Sequence, residues 1–329
     1  MRTFTKTLLG AVTAATLLAA APASAQAAEK FPTHPVRIIT WAGPGGAFDT
    51  LARMLAEGLS QRWDETVTVE NKVGAGGIVG TQQAARAAAD GHTLLITTNS
   101  AHILNALLKE NLSFDPRKDF TAVSKLADGQ TTFAVAAASP YNSMAEFLAA
   151  AAKKEGGFSY ASFAIGSASH LMGEHLQRIS KAPLVHVPYA NGEMAALTDV
   201  LGGRLDAVFM SEGTALAQTQ GGKVKVLAIT GNQRTAMSPD VPTFAEQGLG
   251  GLDLSGWIGM FVPAGTPEAV VQQLSDDIQA VVSGQQFNQR MVNMGFSPVG
   301  NGAEEFAAQY ARDFERWAEM VKETGFTPQ

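Results

Sequence analysis

The sequence predicts an α/β protein of two domains. Short apolar runs of strand length alternate with amphipathic helical segments along nearly the whole chain, which is typical of sheets with helical crossovers. The 329 residues, 46% of them hydrophobic, exceed what a single core usually spans, so we expect two domains. The chain has no cysteine, which excludes disulfides, thiolate zinc sites and a cysteine nucleophile.

The individual elements follow from hydrophobic spacing. Short runs rich in β-branched and apolar residues, bounded by turn residues, predict ten strands. These strands are 36–40, 67–69, 93–97, 121–126, 132–136, 159–162, 184–187, 207–210, 224–230 and 257–262. Apolar residues at helical spacing between them predict seven helices. These helices are 49–61, 78–89, 144–154, 170–179, 194–202, 267–283 and 304–323.

The last helix has the clearest periodicity. Its large apolar residues recur at spacings of four, four, three and four, at Phe306, Tyr310, Phe314, Trp317 and Val321. A stripe of this kind packs into a core, so we assign it no chemistry. Asn301 followed by Glu304 predicts a capping box at its start.

The first 25 residues form a predicted signal peptide. Arg2 and Lys6 precede an apolar run over 8–21, and the small residues 23–25 match a cleavage site. Cleavage after Ala25 is predicted, with a cut after Ala27 or Ala28, or an uncleaved anchor, as alternatives. Removal of Arg2 and Lys6 takes the formal net charge from −6 to −8. An acidic protein exported to the periplasm is a poor partner for nucleic acid or an anionic membrane.

The segment 36–59 predicts a strand, a glycine turn and a helix, which is a favourable place for a small anion. Gly43, Gly45 and Gly46 let the backbone turn tightly, and the following helix offers unpaired N–H groups and a positive dipole end. Nucleotides are excluded because Phe48 stands where a dinucleotide fingerprint has its third glycine, and no Gly-Lys-Ser/Thr follows. A second glycine cluster, 74–80, misses the same fingerprint at Val79 and is interpreted mainly as a strand-to-helix turn.

A similar strand, turn and helix recur over 159–179, so two turns are expected to face one ligand across a cleft. Ser167 or Ser169 beside His170 is the best candidate for a hydrolase, but no Gly-x-Ser-x-Gly elbow occurs, and serine before a helix is typically an N-cap. His170 and His175 lie five residues apart, about 140° around a helix, so their side chains diverge and are not expected to share a metal ion. His34, His92, His102 and His186 are scattered singly in the sequence and are interpreted as structural.

Asp49, at the start of the helix after the first turn, has two interpretations. Its carboxylate either caps and rigidifies the turn, with Arg53 four residues later as its partner, or contacts the ligand directly.

The chain resembles the extracytoplasmic solute receptors of tripartite tricarboxylate transporters, the Bug family. The resemblance extends over essentially the whole mature chain and depends on the order and spacing of several short motifs. They are 44–49 with 52–53, 69–71 before 74–77, 115–120, 186–189, 201–206, 240–243 with 246–248, and 263–267.

The resemblance implies a two-lobed, type II-like periplasmic-binding-protein architecture with the ligand cleft between lobes. Residues 29–126 and 253–329 would form lobe 1, and 127–252 lobe 2. It implies a receptor, and no enzyme, that captures a small organic carboxylate for the membrane components of a tripartite transporter. The receptor would be a monomer without a cofactor, a metal or a nucleic-acid partner. The predicted ligand-binding residues are Trp41, Gly43, Gly45, Gly46, Ala47, Phe48, Asp49, Asn99, Gly166, Ser167, Ser169, His170 and Tyr189.

Two departures from the family concern the ligand. Relatives often have a small polar residue at the position of Phe48 and a more polar second turn where this chain has 163–165. With Trp41 and Tyr189 nearby, these residues favour a carboxylate with an aromatic or aliphatic body over citrate. In the alternative, Phe163 and Ile165 point into the lobe core. A sensor that feeds a signalling partner, and an exported serine hydrolase, remain the alternative functions.

Overall fold

The protein is described here from a computed structural model that covers residues 31–189 and 192–326. The predicted signal peptide lies outside these residues. Eleven strands form two separate sheets, and the helices pack on their faces. The α/β architecture with two sheets confirms the predicted fold class.

The first sheet has six strands in the order β11-β4-β10-β3-β1-β2. β1 pairs in parallel with both β2 and β3, whereas β10 runs antiparallel to β3 and β4, and β11 antiparallel to β4. The strands are β1 Val36–Thr40, β2 Val67–Asn71, β3 Thr93–Thr98, β4 Phe120–Gly129, β10 Gly256–Pro263 and β11 Ser297–Pro298. β3 is buried along its whole length, as expected for a central strand covered on both faces.

The second sheet has five strands in the order β7-β6-β8-β5-β9. β6 pairs in parallel with β7 and β8, and β5 runs antiparallel to β8 and β9. The strands are β5 Thr131–Ala136, β6 Phe158–Ser162, β7 Leu184–Pro188, β8 Ala207–Ser211 and β9 Val224–Ile229. We refer to each sheet with its helices as the first and the second lobe.

Ten α-helices occur within the described residues. They are α1 Ala47–Trp63, α2 Ile78–Ala85, α3 Asn105–Leu108, α4 Met144–Ala151, α5 Ala168–Ser180, α6 Glu193–Leu201, α7 Glu212–Gln220, α8 Glu268–Val282, α9 Gln285–Asn293 and α10 Ala303–Thr324. A π-helical turn, Ser100–Leu104, precedes α3, and short 3₁₀ turns occupy Ala75–Gly77 and Ala245–Gln247. All ten predicted strands and seven predicted helices are present, with ends that differ by a few residues.

The chain crosses between the lobes twice, from β4 to β5 and again between β9 and β10. Gly129 and Gly256 lie opposite each other at these crossings. A Cβ atom on Gly256 would lie 2.6 Å from the Gly129 carbonyl oxygen, so the backbones approach more closely than a side chain allows. The crossings lie near the predicted lobe boundaries at 126 and 253, which stay a prediction.

Helix α10 joins the two lobes by packing. The apolar stripe predicted from its spacing is buried along its length, and it shares one core cluster with α5 and with the second sheet. At the end of α10, Glu323 pairs with Arg178 and lies 3.3 Å from Nδ1 of His175, both on α5. The predicted capping box is wrong, because Gly302 is the N-cap and the Asn301 side chain instead accepts from the Lys125 amide.

Candidate functional site

The two predicted turns lie at equivalent places in the two sheets. β1 stands between β2 and β3, and β6 stands between β7 and β8, so each strand is a point at which the strand order reverses direction. In open α/β sheets, ligands collect beyond the carboxyl ends of strands at such points. The turn after β1 and the turn after β6 therefore occupy the two positions where a ligand site is expected.

The first turn is built by glycine and closed by Asp49. Gly45 adopts φ 81°, a conformation that glycine reaches without strain, and Gly46 is the N-cap of α1. Asp49 is only 2% exposed. Its Oδ2 accepts from the Gly45 amide at 2.8 Å and from Arg53 Nε at 3.0 Å, and its Oδ1 accepts from Asn71 Nδ2 at 2.7 Å.

These contacts support the rigidifying role of Asp49. Burial raises the pKa of the carboxyl group, but hydrogen bonds from Arg53, Asn71 and Gly45 outweigh it and hold the pKa below 3.8. Asn71 also donates to the carbonyl oxygen of Ala42, so one network joins β2, the turn and α1. Both carboxylate oxygens are engaged within the protein, and ligand contact by Asp49 stays a prediction.

The start of α1 leaves its amides available. Within residues 31–189 and 192–326, no protein acceptor is bonded to the amide nitrogens of Ala47, Phe48 or Asp49. The first N–H groups of a helix have no intrahelical partner, and they carry the positive end of the helix dipole. This end of α1 therefore offers donors to a carboxylate without any cationic side chain.

Asn99 follows β3, the strand next to β1 in the first sheet. It is 4% exposed, and its amide nitrogen has no hydrogen-bond partner in the described part of the chain. The π-helical turn starts at the next residue, and such turns are frequent at functional sites. Asn99 and the first turn thus lie on adjacent strand ends.

The second turn is closed by its own serines. Ser167 is the N-cap of α5 and accepts from the His170 amide at 3.3 Å, while its hydroxyl donates to the Ala164 carbonyl at 2.7 Å. Ser169 is fully buried and accepts from the Phe163 amide at 3.1 Å. These hydroxyls hold the turn, and whether they also reach a ligand stays a prediction.

The arrangement does not support a hydrolase at Ser167 or Ser169. His170 Nδ1 accepts from the Gly166 amide at 3.0 Å, so this nitrogen is not available as a base for either hydroxyl. Burial lowers the pKa of His170 against the opposing effect of Glu174. The imidazole stacks on His186 at a ring separation of 3.7 Å. This contact could not be predicted from the sequence, in which the two residues lie 16 positions apart.

A different serine contacts histidine. Ser162, at the end of β6, lies with its hydroxyl 2.6 Å from His186 Nε2. The register of β6 and β7 brings them together, a signal that periodicity alone does not carry. Burial and the neighbouring His170 lower the pKa of His186 to about 4. Ser162 is 2% exposed and also donates to the Ala164 carbonyl at 3.1 Å, so its hydroxyl braces the second turn.

Large apolar side chains lie at both turns. The Trp41 ring lies 5.3 Å from that of Phe48, which lies 5.8 Å from Phe296. Ile165 is 60% exposed, so the alternative that it points into the lobe core is wrong. Tyr189 donates its hydroxyl to Asp199; that hydrogen bond, with burial, raises the pKa of Tyr189.

The second turn also touches the first lobe. A Cβ on Gly166 would lie 3.3 Å from Leu108 at the end of α3 and 3.7 Å from Phe326, and the Phe326 ring meets His170 edge-on at 5.5 Å. The second turn therefore lies at the boundary between the lobes, as a cleft site requires.

A match to the family model of the tripartite tricarboxylate transporter family receptor covers residues 51–326. The chain belongs to this family. Its members are periplasmic solute receptors, and the resemblance drawn from the sequence motifs is confirmed. Within the described residues, no helix has the length and hydropathy needed to span a membrane.

Solved structures agree with the family assignment. The periplasmic binding protein BugD is 34% identical, covers 91% of this chain and 100% of its own, and has a TM-score of 0.74. The Rhodopseudomonas palustris protein Rpa4515, solved with adipate, is 26% identical with 91% and 100% coverage and a TM-score of 0.77. MatC from the same organism, with bound malate, is 28% identical with 88% and 100% coverage and a TM-score of 0.72. This similarity confirms the two-lobed architecture.

Proposed function

We propose that this protein is an exported, non-enzymatic receptor that captures a small organic carboxylate between its lobes and delivers it to a tripartite transporter. The observation that carries the proposal is the pair of turns, each at the strand-order reversal of its own sheet, one with free helix amides and the other at the lobe boundary. Adipate and malate in related structures support a carboxylate as the ligand class.

The ligand charge would be held by the main chain. Neither turn contains lysine or arginine, and Arg53 is committed to Asp49 and Asn71. Hydrogen bonds that involve a charged group contribute about 1.5 to 3 kcal/mol each. Three or four of them contribute about 4.5 to 12 kcal/mol before the entropy lost on binding is subtracted. Micromolar affinity, about −8 kcal/mol, therefore needs strong hydrogen bonds together with the burial of apolar surface.

The apolar lining favours an acid with a hydrocarbon body. Trp41 and Phe48 stand on one side of the first turn, and Ile165 exposes most of its side chain at the second. Such a surface gains free energy from covering methylene or aromatic groups, at about 25 cal/mol per Å² of apolar surface buried. A densely charged acid such as citrate would leave those surfaces unused and lose hydration without matching cations.

Two alternatives share parts of this evidence. A sensor would bind the same ligand in the same way and differ only in its partner. An exported hydrolase is not favoured, because neither Ser167 nor Ser169 pairs with the ring of His170. Binding of the acid without turnover of simple esters would support the receptor over the hydrolase.

A thermal-shift and calorimetric screen of the signal-free protein tests the ligand class. Adipate, longer dicarboxylates and aryl carboxylates are expected to stabilise the protein more than citrate or aspartate. Stabilisation by citrate or aspartate alone would refute the apolar-body proposal. Mass spectrometry of ligand released from natively purified protein would identify an acid retained from the cell.

Phe48→Ser supplies the variant for that screen. Loss of the ring is expected to weaken apolar-body acids roughly tenfold while malate changes less, since a few methylene contacts are worth about 1 to 3 kcal/mol. Because Phe48 also packs against Phe296, circular dichroism must first show that the variant folds. Equal losses for all acids would indicate a damaged turn and no role in selectivity.

A further inference from the structure

Two histidines and an aspartate that are far apart in the sequence meet on the first lobe. His34 precedes β1, and Asp90 and His92 precede β3. One potential ligand atom from each residue lies within 4.8 Å of the others. His34 and His92 look isolated in the sequence, because 57 residues lie between them and only the parallel pairing of β1 with β3 brings them together.

His92 is the buried member of the cluster, and its contacts hold Asp90 and His34 beside it. His92 is 8% exposed, and its Nδ1 lies 3.3 Å from Asp90 Oδ1 without forming a hydrogen bond. The same carboxylate oxygen accepts from the His92 amide at 2.9 Å, which fixes the carboxylate beside the ring. The His34 ring stacks on His92 at a separation of 3.6 Å. A buried ring nitrogen thus faces a fixed carboxylate and a second imidazole.

The hydrogen bonds leave Nε2 of His34 available to a metal ion and require a change of tautomer at His92. His34 Nδ1 lies 3.3 Å from the Pro35 carbonyl, which can only accept, so Nε2 keeps its lone pair. His92 Nε2 accepts from the Thr33 amide at 3.1 Å. With a cation on Nδ1, the His92 ring proton would move to Nε2 and form a hydrogen bond to the Thr33 hydroxyl oxygen at 3.4 Å. The Thr33 amide would then lose its acceptor and turn away from the ring, a cost that metal binding must exceed.

We propose that His34, Asp90 and His92 form a binding site for a divalent first-row transition metal ion, with zinc as the best fit. Two imidazole nitrogens and one carboxylate are a common zinc ligand set, and water completes the tetrahedron. An imidazole binds zinc in the plane of its own ring, and the His34 and His92 planes are nearly parallel, at 19°. For both nitrogens to lie about 2.1 Å from one ion and about 3.4 Å from each other, the His34 ring must turn out of this stack. His34 is exposed and can rotate to do so. Magnesium prefers oxygen ligands and is excluded.

The site is remote from the proposed ligand cleft. His34 and His92 lie at the amino ends of β1 and β3, whereas the first turn and Asn99 follow their carboxyl ends. Five strand residues span about 17 Å. Zinc would therefore tie the segment before β1 to the loop before β3 and leave solute binding unchanged.

Zinc titration of the tag-free, chelator-treated mature protein by calorimetry tests the proposal. One zinc ion per chain is expected, with no uptake of magnesium. His34→Ala and Asp90→Asn should each weaken zinc binding roughly tenfold or more. Asp240→Asn removes the same charge from an exposed position on the second lobe and should leave zinc affinity unchanged.

NMR of the histidine rings gives a second measurement that needs no variant. Zinc should shift the signals of His34 and His92 together and leave those of His170 and His186 in place. The proposal is overturned if the protein takes up no zinc, if both variants bind zinc as the parent does, or if other histidines respond. His92→Gln is a secondary variant because its buried ring also supports the fold.

Discussion

Replacing Asp49 with asparagine removes the charge that holds the first turn together. The carboxylate accepts three hydrogen bonds, from Gly45, Arg53 and Asn71. Asparagine keeps one acceptor and turns an N–H₂ group toward at least one of these donors. The loss of one hydrogen bond to a charged group and one donor left unpaired would together cost about 2.5 to 6 kcal/mol. Because the Arg53 side chain is 52% exposed, solvent screens its share, and we expect about 2 kcal/mol.

Urea denaturation of the parent, Asp49→Asn and Glu57→Gln measures this cost. Glu57 is an exposed carboxylate on the same helix, and its neutralisation should change the free energy of unfolding by less than about 0.5 kcal/mol. Calorimetry with the best acid from the ligand screen gives the second readout. A turn that loses its brace should bind that acid more weakly.

The pH dependence of stability tests the same bracing role of Asp49. The pKa of Asp49 is lower in the folded protein than its ordinary value of 3.8. The stability it contributes is therefore fully present above that value and is lost as pH falls through the folded pKa. The difference between parent and Asp49→Asn should be constant from about pH 5 to 8 and shrink below about pH 4. Equal unfolding free energies at pH 7 would refute the bracing role.

Two further predictions concern the core and the lobe contact. Burial lowers the pKa of His102 to about 3, and neither ring nitrogen has a hydrogen-bond partner among the described residues. His102→Phe removes these buried polar atoms and should therefore raise the free energy of unfolding by about 1 to 3 kcal/mol at pH 7. Because the unfolded chain binds a proton that the folded one does not, the parent should lose stability from about pH 6.5 to 3, and the variant should lose less in acid denaturation. A Cβ on Gly213 would lie 2.4 Å from the Gly295 Cα across the lobes, so Gly213→Ala should cost about 1 to 3 kcal/mol in chemical denaturation, while Gly250→Ala, with open space around it, should not.

Hydrophobic spacing predicted the elements that bury a strong apolar face, and it missed those that do not. α9 buries only Phe287 and Met291 in an otherwise polar segment, and α7 buries little beyond Ala215 and Glu212. The π-helical turn has no sequence period of its own. These elements form because neighbouring strands and helices position them, which a single sequence does not encode locally.

The candidate site also has one part that the sequence could predict and one part that it could not. Its two turns were predictable, because glycine and small residues between a strand and a helix have a local physical meaning. Side-chain pairings were not predictable: Asp49 with Asn71, Ser162 with His186, and His34 with His92 all depend on strand register. Local sequence thus fixes the backbone of the turns, and tertiary structure decides which side chains brace them.

The packing of α10 on both lobes has a mechanical consequence for closure. Besides the two covalent crossings, the last helix attaches the lobes to each other through Glu323 and its partners on α5. A closing rotation that moves α5 relative to α10 would strain the Arg178–Glu323 ion pair. This contact therefore resists relative movement of the two lobes, and its resistance weakens as ionic strength rises. Ionic strength should then change the rate of lobe closure, even where it leaves the affinity for the acid unchanged.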